Sequence, residues 1–113
     1  MTTPLWTPSP ESLRKTNLSA FIAKLEGEYA CSFEDYDALH AWSVENKEDF
    51  WSALCSYADV QVSDWGDSVL DNPSAMPGAK WFPDARLNYA ENLLRRRDEG
   101  VALLFQAEDR LSR

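Results

Sequence analysis

The sequence has little of what a phosphate-binding loop, a metal centre or a nucleophilic active site requires. Its 113 residues include one histidine, two cysteines and four glycines. The glycines are scattered, so no glycine-rich loop is available to cradle a phosphate. Neither cysteine has a CxxC or Cys/His ligand spacing, so a zinc site is unsupported. His40 has no serine or cysteine at a recognisable motif spacing, and we expect it to be a surface or packing residue rather than a catalytic base.

Long apolar runs and positive charge are also scarce. No stretch approaches the roughly 18 apolar residues of a membrane-spanning helix, and no secretion signal opens the chain. The net charge is −8, and residues 26–71 contain 12 acidic residues and one basic residue, Lys47. Nucleic acid binding depends on cations that neutralise phosphates. We therefore expect a cytoplasmic protein with free thiols that binds neither nucleic acid nor membrane.

What is present is typical of one small globular domain, since 44% of the residues are hydrophobic. Helical spacing of apolar residues predicts a mainly α fragment of about four helices plus short strands. Ser9 and Pro10 favour the start of the first helix, which Gly27 ends or frays. The second is expected to begin at Ser32 and the third at Asn46. The predicted apolar stripes contain Leu18, Phe21, Ile22, Leu25 and Tyr29 in the first helix, Tyr36, Ala38, Leu39, Trp42 and Val44 in the second, and Phe50, Trp51, Leu54 and Tyr57 or Ala58 in the third.

The pattern changes after residue 58. Turn residues and two short strand candidates, at 60–62 and 69–70, predict a segment laid over another surface. A fourth helix is expected over residues 87–96. The basic cluster Arg95, Arg96 and Arg97 is expected to be a solvated helix end rather than a phosphate site. The apolar run at 101–105 is typical of a strand buried on both faces, and residues 108–110 resemble a hairpin turn. Half of a hairpin predicts a larger fold that continues past this point.

Two groups of residues deserve functional scrutiny, one aromatic and one amide. Aromatic side chains at helical spacing favour a packed core over a ligand pocket. Asn88 and Asn92 lie one helical turn apart, and capping a helix or fixing loop backbone is favoured over contact with a substrate. We expect no catalytic, cofactor-binding or metal-binding residue. Structural or interdomain packing is expected of Trp42, Phe50, Trp51, Trp81, Phe82, Asn88 and Asn92.

Three stretches of sequence carry a family resemblance. Residues 35–44 read DYDALHAWSV and are followed by DFW at 49–51, while residues 81–94 read WFPDARLNYAENLL. Together with LWTPSPE at 5–11 and NLSAF at 17–21, they resemble the N-terminal region of acetyl- and acetoacetyl-CoA synthetases, which are adenylate-forming acyl-CoA ligases. The opening stretches resemble the acetoacetyl branch more closely. The chain departs from the family at Asp84, where a glycine is usual.

The resemblance implies that residues 1–100 form an N-terminal helical region of a larger α/β enzyme. Residues 101–113 would then be the first strand and turn of its adenylate-forming domain. The implied parent activates acetoacetate with ATP and Mg²⁺ as an acyl-adenylate and transfers it to CoA. The family's phosphate loop and lysine have no counterpart in these residues, so no catalytic residue is carried over and the fragment alone is expected to be inactive.

The partner implied for this region is the remainder of the parent's large domain. One alternative stays open at this stage. The chain would then be a stand-alone acidic helical module, or a truncated gene product, that binds a partner protein through exposed aromatic residues.

Overall fold

The computed structural model describes residues 5–105. It is mainly α-helical, with a single two-stranded antiparallel sheet in this range, and it confirms the predicted fold class. The elements in chain order are α1 (Pro10–Arg14), α2 (Asn17–Tyr29), α3 (Tyr36–Glu45), α4 (Lys47–Tyr57), β1 (Leu70–Asp71), β2 (Lys80–Trp81) and α5 (Tyr89–Leu93).

The chain enters the helices through two successive caps. Ser9 caps α1 as predicted, because its Oγ accepts a hydrogen bond of 3.2 Å from the backbone N–H of Ser12, and Pro10 occupies the first position. The predicted first helix is divided in two, however. Thr16 adopts an extended conformation, and its Oγ1 accepts a hydrogen bond from the N–H of Ser19. Thr16 is thus the N-cap of a second helix, α2.

Two other helix ends differ from the prediction. Gly27 neither ends nor frays α2, which continues to Tyr29 and is followed by Ala30 in the left-handed conformation, φ 51°. Ser32 does not cap α3. The cap is Asp35, whose carboxylate accepts from the N–H of Ala38 at 2.8 Å, because an ionised acceptor suits the positive end of the helix dipole.

The hydrophobic core lies among α2, α3 and α4. Four apolar residues are buried at its centre: Phe21, Leu25, Leu39 and Ala53. Partly buried side chains surround them: Ile22, Tyr29, Phe33, Trp42, Phe50, Leu54 and Tyr57. Helix α3 packs against α4, and α2 packs against α4 as well. Residues 10–58 thus close a core of their own.

The predicted stripes of α3 and α4 need correction at their edges. Trp51 is 40% exposed and lies outside the core, so its placement on the buried stripe of α4 is wrong. The buried face of α4 instead runs through Ala53, a small residue that lets the helices approach closely. Tyr36 and Val44, which were predicted to lie on the apolar stripe of α3, are exposed.

The second part of the chain contains a short hairpin. Leu70 pairs with Trp81 and Asp71 with Lys80, so the strand predicted at 69–70 forms one residue later. Leu70 is the only buried apolar residue between positions 59 and 105. The strand predicted at 60–62 does not form. Instead, Asp64 and Arg86 form an isolated antiparallel bridge nearby.

The final helix is shorter than predicted, since α5 covers five residues where 87–96 was expected. The run at 101–105 adopts no strand in this structure and its residues are exposed. The predicted turn at 108–110 lies outside the described residues. The division of the chain at residue 101 stays a prediction.

Candidate functional site

A chain of aromatic rings connects the helical core to the hairpin. The centroids of Phe21 and Phe50 are 5.8 Å apart, and those of Phe50 and Trp51 are 5.6 Å apart. Trp51 in turn lies 5.5 Å from Trp81 on β2. Edge-to-face and tilted pairs at these distances are favourable beyond their buried area. The pair Trp51 and Trp81 is therefore one contact between β2 and α4.

Trp42 is separate from this aromatic chain. It lies on α3 and packs at 5.3 Å from Tyr29 and 5.7 Å from Phe33. The structure thus brings Phe50, Trp51 and Trp81 together and places Trp42 on the bundle alone, as a packing residue rather than part of a joint aromatic pocket.

A cavity of about 460 Å³ lies between α4 and the segment that follows it. Phe82, predicted from sequence as a packing residue, forms one wall and lies 5.3 Å from Trp65. Prominent among the lining residues are Ser52, Cys55, Ser56, Trp65, Val69 and Phe82. Sequence reasoning missed Trp65, because a single aromatic residue in a turn-rich segment has no periodic partner.

The cavity offers little for catalysis. Desolvation raises the pKa of the Cys55 thiol above its ordinary value, so at neutral pH the sulfur is protonated and is a weak nucleophile. The charged lining residues are Asp59 and Asp67. Within the described range no basic side chain lines the cavity, which makes it a poor site for a phosphate group. Nor do residues 5–105 contain a group of three or more metal-ligating side chains.

One wall of the cavity contains Gly66, whose backbone lies close to Asp84. Gly66 has a φ of 69°, and a Cβ atom at this position would lie 2.4 Å from the Cβ of Asp84. Only glycine fits there without displacement. Asp84 itself is not in the left-handed region, so the turn accommodates a side chain where the resembled family usually has glycine.

The two asparagines act on backbone groups. Asn88 caps α5, since its Oδ1 accepts from the N–H of Glu91 at 3.2 Å. The Asn92 amide bonds both backbone groups of Gln61. Its Oδ1 accepts from the Gln61 N–H at 2.8 Å, and its Nδ2 donates to the Gln61 carbonyl at 2.8 Å. The Asn92 side chain therefore satisfies the backbone N–H and C=O of Gln61, as a neighbouring strand would in a sheet.

Arg95 completes this attachment. Its Nη1 donates to the carbonyl of Asp59 at 2.7 Å and to that of Ala58 at 3.2 Å, where α4 ends. The carboxylate of Asp59 is 3.6 Å away. The basic cluster Arg95, Arg96 and Arg97 is exposed as predicted, but it is not the end of a helix, because α5 stops at Leu93. Arg95 instead bonds the carbonyl of the C-cap residue Ala58 and that of the residue after it. We call Asn92 and Arg95 the polar clamp.

Comparison with known proteins gives consistent matches. The family model described as acetyl-coenzyme A synthetase N-terminus matches residues 36–93. The acetoacetyl-coenzyme A synthetase of Rhizobium meliloti (strain 1021) is 40% identical over 109 residues, which are 96% of this chain and 17% of that protein. The acetoacetyl-CoA synthetase of Gallus gallus is 35% identical over 101 residues, 88% of this chain and 15% of that protein.

A solved structure agrees with these matches. The acetoacetyl-CoA synthetase from Streptomyces lividans superposes with a TM-score of 0.76 and 40% identity, covering 83% of this chain and 15% of that one. The chain spans about a sixth of the length of the curated relatives it matches. No helix among residues 5–105 has the length and apolar character needed to cross a membrane.

Proposed function

This chain belongs to the acetyl- and acetoacetyl-CoA synthetase family, and on that premise we propose that it is the N-terminal region of a cytoplasmic acetoacetate–CoA ligase that forms AMP. The observation that carries this proposal is the joint agreement in sequence and fold with the Streptomyces acetoacetyl-CoA synthetase. The intact ligase would activate the acetoacetate carboxylate with ATP. The resulting acyl-adenylate is a mixed anhydride and hence a better electrophile than a carboxylate.

The reaction would then proceed by transfer of the acyl group to the thiol of CoA, with AMP as the leaving group. Mg²⁺, where bound, would neutralise charge on the phosphoryl oxygens. The described residues of this chain do not fit the binding of the ATP phosphates, because the cavity is lined by two aspartates and by no cation. We therefore assign the adenylation chemistry to the remainder of the ligase and a packing role to this chain.

That packing role follows from the way the chain is built. Residues 10–58 bring a ready-made core, and the hairpin and α5 are held on its α4 side by Trp51 and the polar clamp. The chain thus supplies a rigid helical support against which the large domain of the ligase packs.

The proposal is tested by acetoacetate-dependent exchange of labelled pyrophosphate into ATP. The coding sequence beyond Arg113 is read first, and we expect an in-frame phosphate loop rich in glycine, serine and threonine. The intact polypeptide is expected to exchange with acetoacetate much faster than with acetate. The 113-residue chain alone is expected to remain at background. Exchange by the 113-residue chain, or none by the intact polypeptide, would overturn the assignment.

A further inference from the structure

The cavity beside α4 has the size of a small-molecule site. Its volume of about 460 Å³ lies within the range of ligand pockets, roughly 300–1,000 Å³. One side is formed by α4, and the other by residues 65–69 together with Phe82. Packed protein surfaces leave few voids larger than a water molecule. A space of this size between a helix and the segment that follows it is therefore a candidate binding site.

Two aromatic rings form a corner of this cavity. The ring centroids of Trp65 and Phe82 are 5.3 Å apart and their planes are inclined at 58°, so the rings meet at an angle rather than stack. Trp65 lines the cavity and is 41% exposed, which leaves part of its indole accessible. The face of an aromatic ring is negative, and tryptophan attracts cations most strongly. The corner thus offers a surface that attracts a cation.

Phe82 is held in the cavity wall at a conformational cost. Its φ is 43°, in the left-handed region that residues other than glycine rarely occupy. Two backbone hydrogen bonds maintain this conformation. The Phe82 N–H donates to the carbonyl of Val69 at 2.8 Å, and the Phe82 carbonyl accepts from the N–H of Ala85 at 3.0 Å. Residues held in strained conformations are concentrated at ligand sites, which is a second indication that this wall does more than pack.

The charge of the cavity favours a cation as its ligand. The charged lining residues are Asp59 and Asp67, and no lysine or arginine of residues 5–105 lines the cavity. The carboxylate of Asp59 lies 3.6 Å from Arg95, so its charge is partly balanced. Asp67 forms no ion pair with any residue in the described range. An anion would be repelled here, and a neutral apolar molecule would gain nothing from the carboxylates.

We propose that this cavity binds a small alkylated ammonium compound, with the cationic nitrogen beside Asp67 and its alkyl groups against Trp65 and Phe82. Aromatic rings recognise quaternary ammonium groups in this way. Ser52 and Ser56 supply hydroxyl groups for a polar substituent of the ligand. The site goes beyond the proposed function and does not depend on it, because every residue that forms it belongs to the described part of this chain.

The first experiment is a titration of this chain with choline, followed by heteronuclear NMR at constant ionic strength. Choline is expected to shift the amide resonances of Gly66 and Val69 saturably, while that of Leu25 in the core stays in place. The matched ligand is the neutral tert-butyl analogue of choline, in which carbon replaces the charged nitrogen. It should bind at least about fivefold more weakly, because it keeps the shape of choline but lacks the attraction between cation and ring.

Two variants assign the binding to the cavity. Asp67→Asn removes the negative charge of an exposed residue, so the variant should fold normally, and it is expected to weaken choline binding by about threefold. Trp65→Leu removes the ring and should weaken binding by about threefold as well. The control is Glu34→Gln, which makes the same change of charge at an exposed residue outside the cavity and should leave binding unchanged.

The intact polypeptide is tested by saturation-transfer NMR observed on the choline methyl groups, with a signal expected that falls in the Asp67→Asn variant. Equal affinity for choline and its tert-butyl analogue would overturn the proposal, and so would the absence of a saturable shift. Equal losses in Asp67→Asn and Glu34→Gln would also overturn it, since a diffuse negative field would then attract the probe. Binding by this chain but not by the intact polypeptide would mean that other residues fill the cavity, which contradicts the site as well. None of these results affects the pyrophosphate exchange that tests the proposed function.

Discussion

The two regions of this chain distribute their apolar residues in opposite ways. Residues 10–58 bury Phe21, Leu25, Leu39 and Ala53 among three helices. Residues 60–105 bury Leu70 and are otherwise attached by ring contacts and the polar clamp, with large apolar side chains in solvent. The first region needs only itself to exclude water, whereas the second has an incomplete apolar environment. The comparison indicates that the helical bundle supplies most of the stability of the chain, while the second region leaves most of its large apolar side chains in solvent.

The largest expected contrast is between one leucine from each region. Leu25 is 0% exposed and Leu93 is 64% exposed. We expect Leu25→Ala to lower the free energy of unfolding by about 2–5 kcal/mol, because it leaves a cavity in the core. Leu93→Ala should change it by no more than about 0.5 kcal/mol. Urea denaturation of the isolated chain, followed by far-UV circular dichroism, measures both. Similar losses would mean that the second region shares the stability of the bundle.

Two tryptophans sharpen the comparison at the boundary. Trp42 packs on the core between two rings, and Trp42→Ala is expected to cost about 3 kcal/mol in the same denaturation measurement. Trp51 lies at the edge between Phe50 and Trp81, and Trp51→Ala should cost about 1–2 kcal/mol, the value of two aromatic pairs. If the Trp51 variant were less stable than the Trp42 variant, Trp51 would have to be counted as a core residue.

A smaller and local effect is expected from the polar clamp. Asn92→Ala removes both hydrogen bonds to Gln61, and we expect the amide of Gln61 to exchange its hydrogen about fivefold faster, since a net hydrogen bond is worth roughly 1 kcal/mol. The urea midpoint should hardly move. The matched control is Asn88→Ser, which keeps a helix cap and should leave Gln61 unchanged. Unchanged exchange in the Asn92 variant would show that the clamp does not hold this segment.

The smallest effect concerns the thiol in the cavity. Because desolvation raises the pKa of Cys55 in the folded chain, the protonated thiol favours folding. That contribution is fully present below the pKa of an unfolded cysteine, about 8.5, and is lost as the pH rises through the higher folded value. In a Cys31→Ser variant, the alkylation rate of Cys55 by iodoacetamide should rise at a higher pH than that of N-acetylcysteine. A midpoint at or below that of the free thiol would contradict the burial of Cys55.

Much of the bundle was predictable because its signals are local. The spacing of Phe21, Leu25 and Leu39 predicts their burial, and Ser9 predicts its own cap. The error at Trp51 has a physical reason. A prediction of the buried face from hydrophobicity favours the largest apolar residues. In the structure, the helices pack closely and the buried residue of α4 is the small Ala53.

The second region was less predictable because its contacts are distant in sequence. Asn92 bonds a residue 31 positions away, and Arg95 bonds carbonyls 36 and 37 positions away. Side-chain bonds to a loop backbone leave no periodic pattern. The predicted helix at 87–96 was therefore too long, since no local signal indicated that the chain leaves the helix before Arg95 reaches α4.

Amide hydrogen exchange across the isolated chain tests the division into two regions most directly. Amides of α2 and α4 are expected to exchange only through global unfolding, because their hydrogen bonds surround the core. Amides of α5 and of residues 101–105 are expected to exchange orders of magnitude faster, through local opening. Equal and strong protection of both regions in a monomeric chain would contradict the account. It would mean that residues 60–105 already have a complete apolar environment.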